Sequence, residues 1–283
     1  MSEATPYPGT IAVVGLGLVG GSLVRSFARL PSRPRVLGSS LDAKDRAGAE
    51  RVPGVKISAD GTDIVAEADL VIYAVPLGAT IELITKHAGS IRADALVTDV
   101  AGLKRPVLAA ASAAGIGDRF IGSHPMAGGE GAGFDAGRAD LFENARVWLC
   151  AGDQAKATAA HRLDDFWSGL GARPEWIDPD KHDLLMVRVS HLPQLVSNAL
   201  ALALEHARVD PDALGPGGRD MTRLAASSPG MWVDLLEHTH SDAAGLLRSV
   251  SEQIDEMAKS LEKGDVKKIG KLMKRTREWR SGK

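Results

Sequence analysis

Residues 10–22 read TIAVVGLGLVGGS. A short apolar run, Thr10 to Val14, gives way to Gly15-Leu16-Gly17-Leu18-Val19-Gly20, and Leu23 to Leu30 then keeps helical spacing. Strand, G-x-G-x-x-G and helix in that order is the context in which the three glycines carry meaning. Gly15 permits the tight turn, Gly17 lets the backbone approach a pyrophosphate, and Gly20 allows the helix to pack closely on the strand. Leu18 and Val19 open the helix, whose N-terminus offers N–H donors to phosphate. The bland alternative is a plain βα turn. Placement at the head of a repeated β and α pattern favours dinucleotide binding.

That pattern continues through the first half of the chain. Arg35 to Gly38 reads as a second strand. Asp69 to Val75, closed by Pro76, is a nearly continuous apolar run of the kind a strand buried on both faces shows. Ala95 to Val100 is a further strand, with Asp99 and Lys104 at its C-terminal end. Helical stretches cover Ala79 to His87, Arg105 to Ala114 and Gln154 to Leu170. Ala145 to Cys150 and Arg173 to Ile177 read as later strands. The expected fold is therefore α/β, with a Rossmann-type doubly wound sheet over residues 1–177. Val75, Pro76 and Asp99 would then lie on the side of the sheet that takes a cofactor. At the end of the second strand, where an NAD enzyme usually shows an acid, stand Ser39 and Ser40. Lys44 and Arg46 nearby would suit a 2′-phosphate, whereas Asp42 would repel one. Both NAD and NADP stay open, with a lean to NADP.

Ile121-Gly122-Ser123-His124-Pro125-Met126-Ala127-Gly128 places one imidazole in a glycine-rich stretch. Phe120 to Gly122 read as a strand tail that Pro125 ends, since proline has no N–H to donate. His124, beside Ser123, would then point into the crevice where open α/β sheets bind ligands. A structural turn histidine is the competing reading.

From Asp178 the pattern turns helical. Asp178-Pro179 is an N-cap followed by proline, and apolar spacing persists to about His206. Pro193 should kink this long helix, one turn after Ser190-His191. His191 is either a hydrogen-bonded core residue or a substrate contact. Ser228-Pro229 opens another helix. Leu247, Val250, Ile254, Met257 and Leu261 form one apolar stripe, and Ile269, Leu272, Met273, Thr276 and Trp279 a second. One stripe can pack inside a subunit. The other would be exposed, which points to a homodimer. Residues 178–283 are thus expected to be an all-helical domain that binds substrate and dimerises.

Composition narrows the class. The 283 residues are 44% hydrophobic and 25% charged, with net charge −2. These values offer no global argument for nucleic acid or membrane. Lys259 to Lys283 carries ten Lys/Arg against three Asp/Glu, as a solvated helix face would. Cys150 is the single cysteine, the start lacks signal-peptide regions, and no run approaches a membrane span. A cytoplasmic protein acting on a small molecule is expected.

The assembled motifs resemble the prephenate/arogenate dehydrogenase family of tyrosine biosynthesis. The resemblance runs through the glycine motif, through Gly122-Ser123-His124-Pro125-Met126-Ala127-Gly128, Asp140 to Ala145, Ser190-His191-Leu192-Pro193, and Arg219-Asp220-Met221-Thr222-Arg223 with Ser228 to Trp232. It implies NAD(P)-dependent oxidative decarboxylation of prephenate or arogenate. It also implies His124 as proton acceptor, Arg223 as partner of the ring carboxylate, and His191 as a contact in the helical part. Ser123 would bind substrate, Glu130 would sit at the pocket edge, and Trp232 would approach the site, in relatives across a subunit interface. Gly102 stands where many relatives have serine, and the loop Gly128 to Gly133 is unusually rich in glycine. The length leaves room for neither a fused chorismate mutase nor a C-terminal regulatory domain, so tyrosine feedback is expected only at the active site. Two other readings compete: a similar dehydrogenase acting on another small acid or imine, and a non-catalytic NAD(P)-binding regulator.

Overall fold

The computed structural model describes residues 8–129 and 131–282. Their contacts divide into two units. One holds the chain as far as Met186 together with Ser227–His238, and the other holds Val187–Ala226 with Thr239 onward.

The first unit is the expected sheet. Its elements follow the chain: β1 (Thr10–Val14), α1 (Leu18–Phe27), β2 (Arg35–Ser39), α2 (Ala43–Glu50), β3 (Val55–Ser58), α3 (Gly61–Glu67), β4 (Leu70–Tyr73), α4 (Leu77–His87), β5 (Leu96–Asp99), α5 (Arg105–Ala113), β6 (Phe120–Pro125), β7 (Arg146–Ala151), α6 (Ala157–Gly169), β8 (Arg173–Trp176) and α7 (Pro179–Met186). The strand order is β3-β2-β1-β4-β5-β6-β7-β8, so the chain reverses direction across the sheet between β1 and β4. Pairing is parallel from β3 to β6, β7 runs antiparallel to β6, and β8 runs parallel to β7. Alternate residues feed two cores: Ile11, Val13, Leu70 and Ile72 one face, Ala12, Val14, Val71 and Tyr73 the other.

Two strands differ from expectation. β3 was not anticipated. It is a four-residue edge strand with no fully buried residue, and Lys56 interrupts its apolar pattern. The second difference places His124. β6 does not stop at Gly122. It pairs with β5 only at Phe120 and Ile121, then continues against β7 as far as Pro125, opposite Val147. The N–H of Met126 reaches Arg146 O at 2.8 Å, so Pro125, one residue earlier, turns its nitrogen toward the side that β5 has already left. A proline there costs the ladder nothing.

The gap between the parting strands is filled by side chains. Lys104 and Asp99 have no exposed surface, and the Lys104 ammonium lies 2.5 Å from Asp99 Oδ2. The ammonium also donates to Ser123 O at 2.6 Å, and Asp99 Oδ1 accepts the Ser123 N–H at 3.2 Å. Gly122 lies alongside, where a Cβ would come within 3.0 Å of Lys104 Cδ.

The remaining helices are α8 (Leu192–His206), α9 (Pro216–Thr222), α10 (Pro229–Glu237), α11 (His240–Glu262) and α12 (Val266–Arg280). Of these, α10 groups with the sheet and the others with the second unit. Asp178 caps α7 through the N–H of Lys181 at 3.0 Å, and Asp265 caps α12 through that of Lys268 at 3.0 Å. The single long kinked helix expected after Asp178 is instead α7, one π turn over Val187–His191, and α8. Pro193, the second residue of α8, has no N–H for the preceding turn, and the widened turn lies just before it. His191 belongs to that turn rather than to regular helix. Within the second unit α11 packs on α8 and α12. Exposed apolar residues nevertheless line it, among them Ile254, Leu261, Met273 at 67% and Trp279 at 80%. Among the described residues no helix is long and apolar enough to cross a membrane.

Lys104→Met would leave the Asp99 carboxylate buried without its cation and Ser123 O without a donor. We expect a loss of about 3–5 kcal/mol, read as a lower urea midpoint at unchanged m-value.

Candidate active site

The glycine turn builds one side of a cleft of about 560 Å³ in the first unit. Gly15 has φ +99°, and its N–H bonds to Ser39 O at 2.8 Å. A Cβ on Gly15 would collide with Ala74 O, and one on Gly20 with Gly15 O, so neither position tolerates a side chain. A Cβ on Gly17 would meet nothing within 4 Å. Gly17 therefore leaves an open cradle at the start of α1, where backbone N–H groups face outward. Gly15, Gly17, Ser39, Ser40, Val75 and Pro76 all line the cleft, as the sequence reading placed them. Leu18 and Val19 form the first turn of α1 and pack partly against the core. Asp99 does not line the cleft. Its carboxylate is fully buried and taken up by Lys104 and by the Ser123 and Ala101 N–H groups. Burial pushes that carboxyl above its ordinary range, against the pull of Lys104.

The end of β2 is also resolved. Asp42 is the N-cap of α2, and its Oδ1 accepts from Lys44 N at 2.6 Å and Asp45 N at 3.3 Å. The Arg46 guanidinium donates to Ser40 O at 2.6 Å and Leu41 O at 2.9 Å. Among the cleft residues that escaped the sequence reading, His87 stands out by its chemistry. His87, at the end of α4, is buried, its Nδ1 lies 3.3 Å from Tyr73 Oη, and its Nε2 has no hydrogen-bond partner. Burial lowers the pKa of this imidazole, with Lys86 adding to the effect. A neutral ring with an unsatisfied nitrogen in the cleft wall is a position for a ligand hydrogen bond. The open cradle and this orphaned nitrogen both fit a dinucleotide.

His124 stands on β6, half-buried. Its ring meets His182 edge-on, with centroids 5.2 Å apart and planes at 74°. His124 Nδ1 lies 3.0 Å from His182 Nε2, and His182 Nδ1 lies 2.8 Å from Asp183 Oδ1. Asp183 in turn accepts the Lys104 N–H at 2.7 Å on Oδ1, and the Arg105 N–H at 3.0 Å and Nε at 3.2 Å on Oδ2. Burial alone would push the Asp183 carboxyl up. The bonds from His182 and from the two backbone N–H groups outweigh it and hold the carboxyl below its usual range. The sequence reading missed His182 and Asp183. The available signal was spacing: His182 and Met186 lie four apart on the buried face of α7.

Other expected site residues fall differently. Ser123 is fully buried, with its hydroxyl 2.7 Å from Thr98 Oγ1 and accepting the Trp167 Nε1–H at 3.0 Å. Neighbours on a strand face opposite sides, so Ser123 is directed away from His124. This corrects its assignment to substrate. At Gly102 a Cβ would lie 3.3 Å from Leu235 Cδ2. Trp232 is half-buried on α10, a helix tied to the start of α4 by Asp234, whose two oxygens accept the Gly78 N–H at 3.1 and 2.9 Å. Glu130 lies outside the described residues.

In the second unit, His191 is buried in the π turn with Nδ1 3.1 Å from Thr239 Oγ1. Arg223 opens a short 3-10 turn after α9 and is exposed. Two bonds from α8 fix that segment: Gln194 Nε2 to Leu224 O at 2.7 Å and Ser197 Oγ to Met221 O at 2.9 Å.

Residues 28–175 match the family model described as prephenate dehydrogenase, nucleotide-binding domain. Residues 178–275 match the model described as prephenate dehydrogenase, dimerization domain. The chain belongs to the prephenate dehydrogenase family. It is accordingly an NAD(P)-dependent oxidoreductase, and the resemblance read from its motifs holds. It is 30% identical over 282 residues to a prephenate dehydrogenase of Bacillus subtilis (strain 168), covering 96% of this chain and 76% of that protein. It is 32% identical over 235 residues to a cyclohexadienyl dehydrogenase of Zymomonas mobilis, covering 80% and 79%. In fold it is similar to a prephenate dehydrogenase of A. aeolicus, solved with hydroxyphenyl propionate and NAD+. The TM-score is 0.88 at 24% identity, over 99% of both chains.

Because the cradle at Gly17 is open, Gly17→Val should leave the thermal midpoint nearly unchanged. It should weaken dinucleotide binding at least about tenfold in calorimetric titration, by standing where the pyrophosphate approaches.

Proposed function

We propose that this member of the prephenate dehydrogenase family carries out the NAD(P)-dependent oxidative decarboxylation of prephenate or arogenate, with His124 as proton acceptor. The observation that carries the reading is the setting of His124. It is an imidazole on a rigid strand, partly open to solvent, with one ring nitrogen already bonded inside the protein. The relatives support the substrate class, since their names cover prephenate and cyclohexadienyl substrates.

The substrate ring carries a hydroxyl and a carboxylate on opposite carbons. The bound cofactor supplies the hydride acceptor. His124 takes the hydroxyl proton, carbon dioxide leaves the opposite carbon, and the ring becomes aromatic. A carboxylate that must be held until it departs needs a permanent cation, and Arg223 offers a guanidinium that can make two parallel bonds. His191 contacts substrate in the helical part, residues 178–283. Gly15, Gly17, Ser39, Ser40, Val75 and Pro76 hold the dinucleotide.

The preferred cofactor is NADP. The reading rests on the hydroxyls of Ser39 and Ser40 at the β2 end with the Arg46 cation beside them, while Asp42 keeps one oxygen on the α2 cap. The enzyme is a homodimer through the helical part, which matches the dimerization model and carries exposed apolar residues on α11 and α12. A cytoplasmic place of action suits the single cysteine, Cys150, a buried thiol that burial pushes up to about 12.

One assay tests the chemistry: NAD(P)H formation with prephenate, then with arogenate. His124→Asn should lower kcat at least about a hundredfold with a smaller change in KM, whereas Arg223→Ala should act mainly on KM. Near-normal kcat in the first variant, or normal substrate affinity in the second, would overturn that residue's role. The same assay run with both cofactors should give a higher kcat/KM for NADP; a large preference for NAD would mean that Asp42 reaches the ribose. Light scattering at micromolar concentration should report about twice the 29.8 kDa of one chain.

A further inference from the structure

His182 and Asp183 lie behind His124 in a buried line: His124 Nδ1 to His182 Nε2 at 3.0 Å, then His182 Nδ1 to Asp183 Oδ1 at 2.8 Å. Neither residue belongs to any motif that carried the functional reading. We propose that this line is a tautomer lock, in which His182 and Asp183 are positioning residues that make Nε2 of His124 the proton-accepting atom. The proposal rests on the reading of His124 as the base and adds which of its nitrogens does the work.

The argument follows donors and acceptors from the far end. Both Asp183 oxygens face donors: Lys104 N–H on Oδ1, Arg105 N–H and Nε on Oδ2. A carboxylate so surrounded is ionised and can only accept. His182 Nδ1 must then carry the hydrogen of the 2.8 Å bond. A neutral His182 keeps its lone pair on Nε2, and that lone pair accepts from His124 Nδ1–H. With its hydrogen fixed on Nδ1, His124 holds its own lone pair on Nε2. When His124 gains a proton, its Nδ1–H bond strengthens along a line that ends in a negative charge. The imidazolium is thereby stabilised without becoming exposed.

Among the described residues, Asp183 is the carboxylate bonded to His182. The other charged groups of this region are Asp99 and Lys104, which bond each other and act with Asp178 and Asp183 on Cys150 of β7, and Arg105 and Asp180 at the helix starts. Asp178 caps α7, and Arg105 lies 3.6 Å from the exposed Asp180.

Two substitutions separate the lock from mere packing. In Asp183→Asn the amide oxygen should keep the Oδ2 place, where Arg105 presents two donors, at the loss of the Lys104 N–H bond to Oδ1. The NH2 then faces His182 Nδ1, which reverses every hydrogen in the line and leaves His124 with hydrogen on Nε2. Full-length protein labelled with 15N at histidine reports the tautomer directly at a pH where the rings are neutral. His124 is identified by the resonance missing in His124→Asn. The expected wild-type form has hydrogen on Nδ1, and Asp183→Asn should show hydrogen on Nε2. That variant should also lose at least about a hundredfold in kcat, with its acid limb moved to lower pH. His182→Gln spares the Lys104 and Arg105 bonds, so it guards against loss of fold. Its amide oxygen can still accept from His124 while losing the ring that relays charge. We expect a loss in kcat of about tenfold or more with KM little changed.

A wild-type His124 bearing hydrogen on Nε2 would overturn the proposal. So would a folded Asp183→Asn enzyme with normal kcat and acid limb. Failure of the underlying reading looks different: His124→Asn would keep its kcat, while the tautomer spectrum would still decide the lock.

Discussion

The buried ammonium of Lys104 is the interaction on which the arrangement around His124 depends. β6 leaves β5 after two paired residues, which strips the N–H and C=O of Ser123 of strand partners in the buried interior. Unpaired backbone groups there would cost roughly 1–3 kcal/mol each. Lys104 and Asp99 stand in for the missing strand: the ammonium takes Ser123 O at 2.6 Å and the carboxylate takes Ser123 N–H at 3.2 Å. Freed from β5, β6 can run on against antiparallel β7 and carry His124 in regular, hydrogen-bonded structure. The backbone N–H of the same Lys104 bonds Asp183. One residue thus holds the strand bearing His124 with its side chain and the helix bearing His182 with its main chain. The distance between the two rings is set by a single short segment.

What was legible in the sequence was local. Gly15 announces itself because positive φ and the contact with Ala74 leave no alternative residue. The strands β1 and β4 are legible because a strand buried on both faces must be apolar throughout. β3 was not, because a short, half-exposed edge strand needs no such pattern. The end of β6 was misjudged for an instructive reason. Proline breaks a ladder only on the side where its N–H was needed, and which side that is depends on the neighbouring strands. Had the strand been carried through Pro125, its alternation alone would have turned Ser123 away from His124. Spacing could place His182 on the buried face of α7, but no local rule could pair it with His124, 58 residues away in the chain. The proline in α8 correctly announced an irregular helix. That the irregularity takes the form of a π turn containing His191 depends on tertiary packing.

The mounting of each proposed group follows from its task. Proton transfer falls off steeply with misplacement, so a base gains from a rigid seat. His124 has one: strand backbone, an edge-on contact with a buried ring, and a bond that fixes its hydrogen. Holding a carboxylate is less demanding, because attraction between full charges decays slowly with distance. Arg223 sits on an exposed 3-10 turn whose neighbours Leu224 and Met221 are bonded from α8.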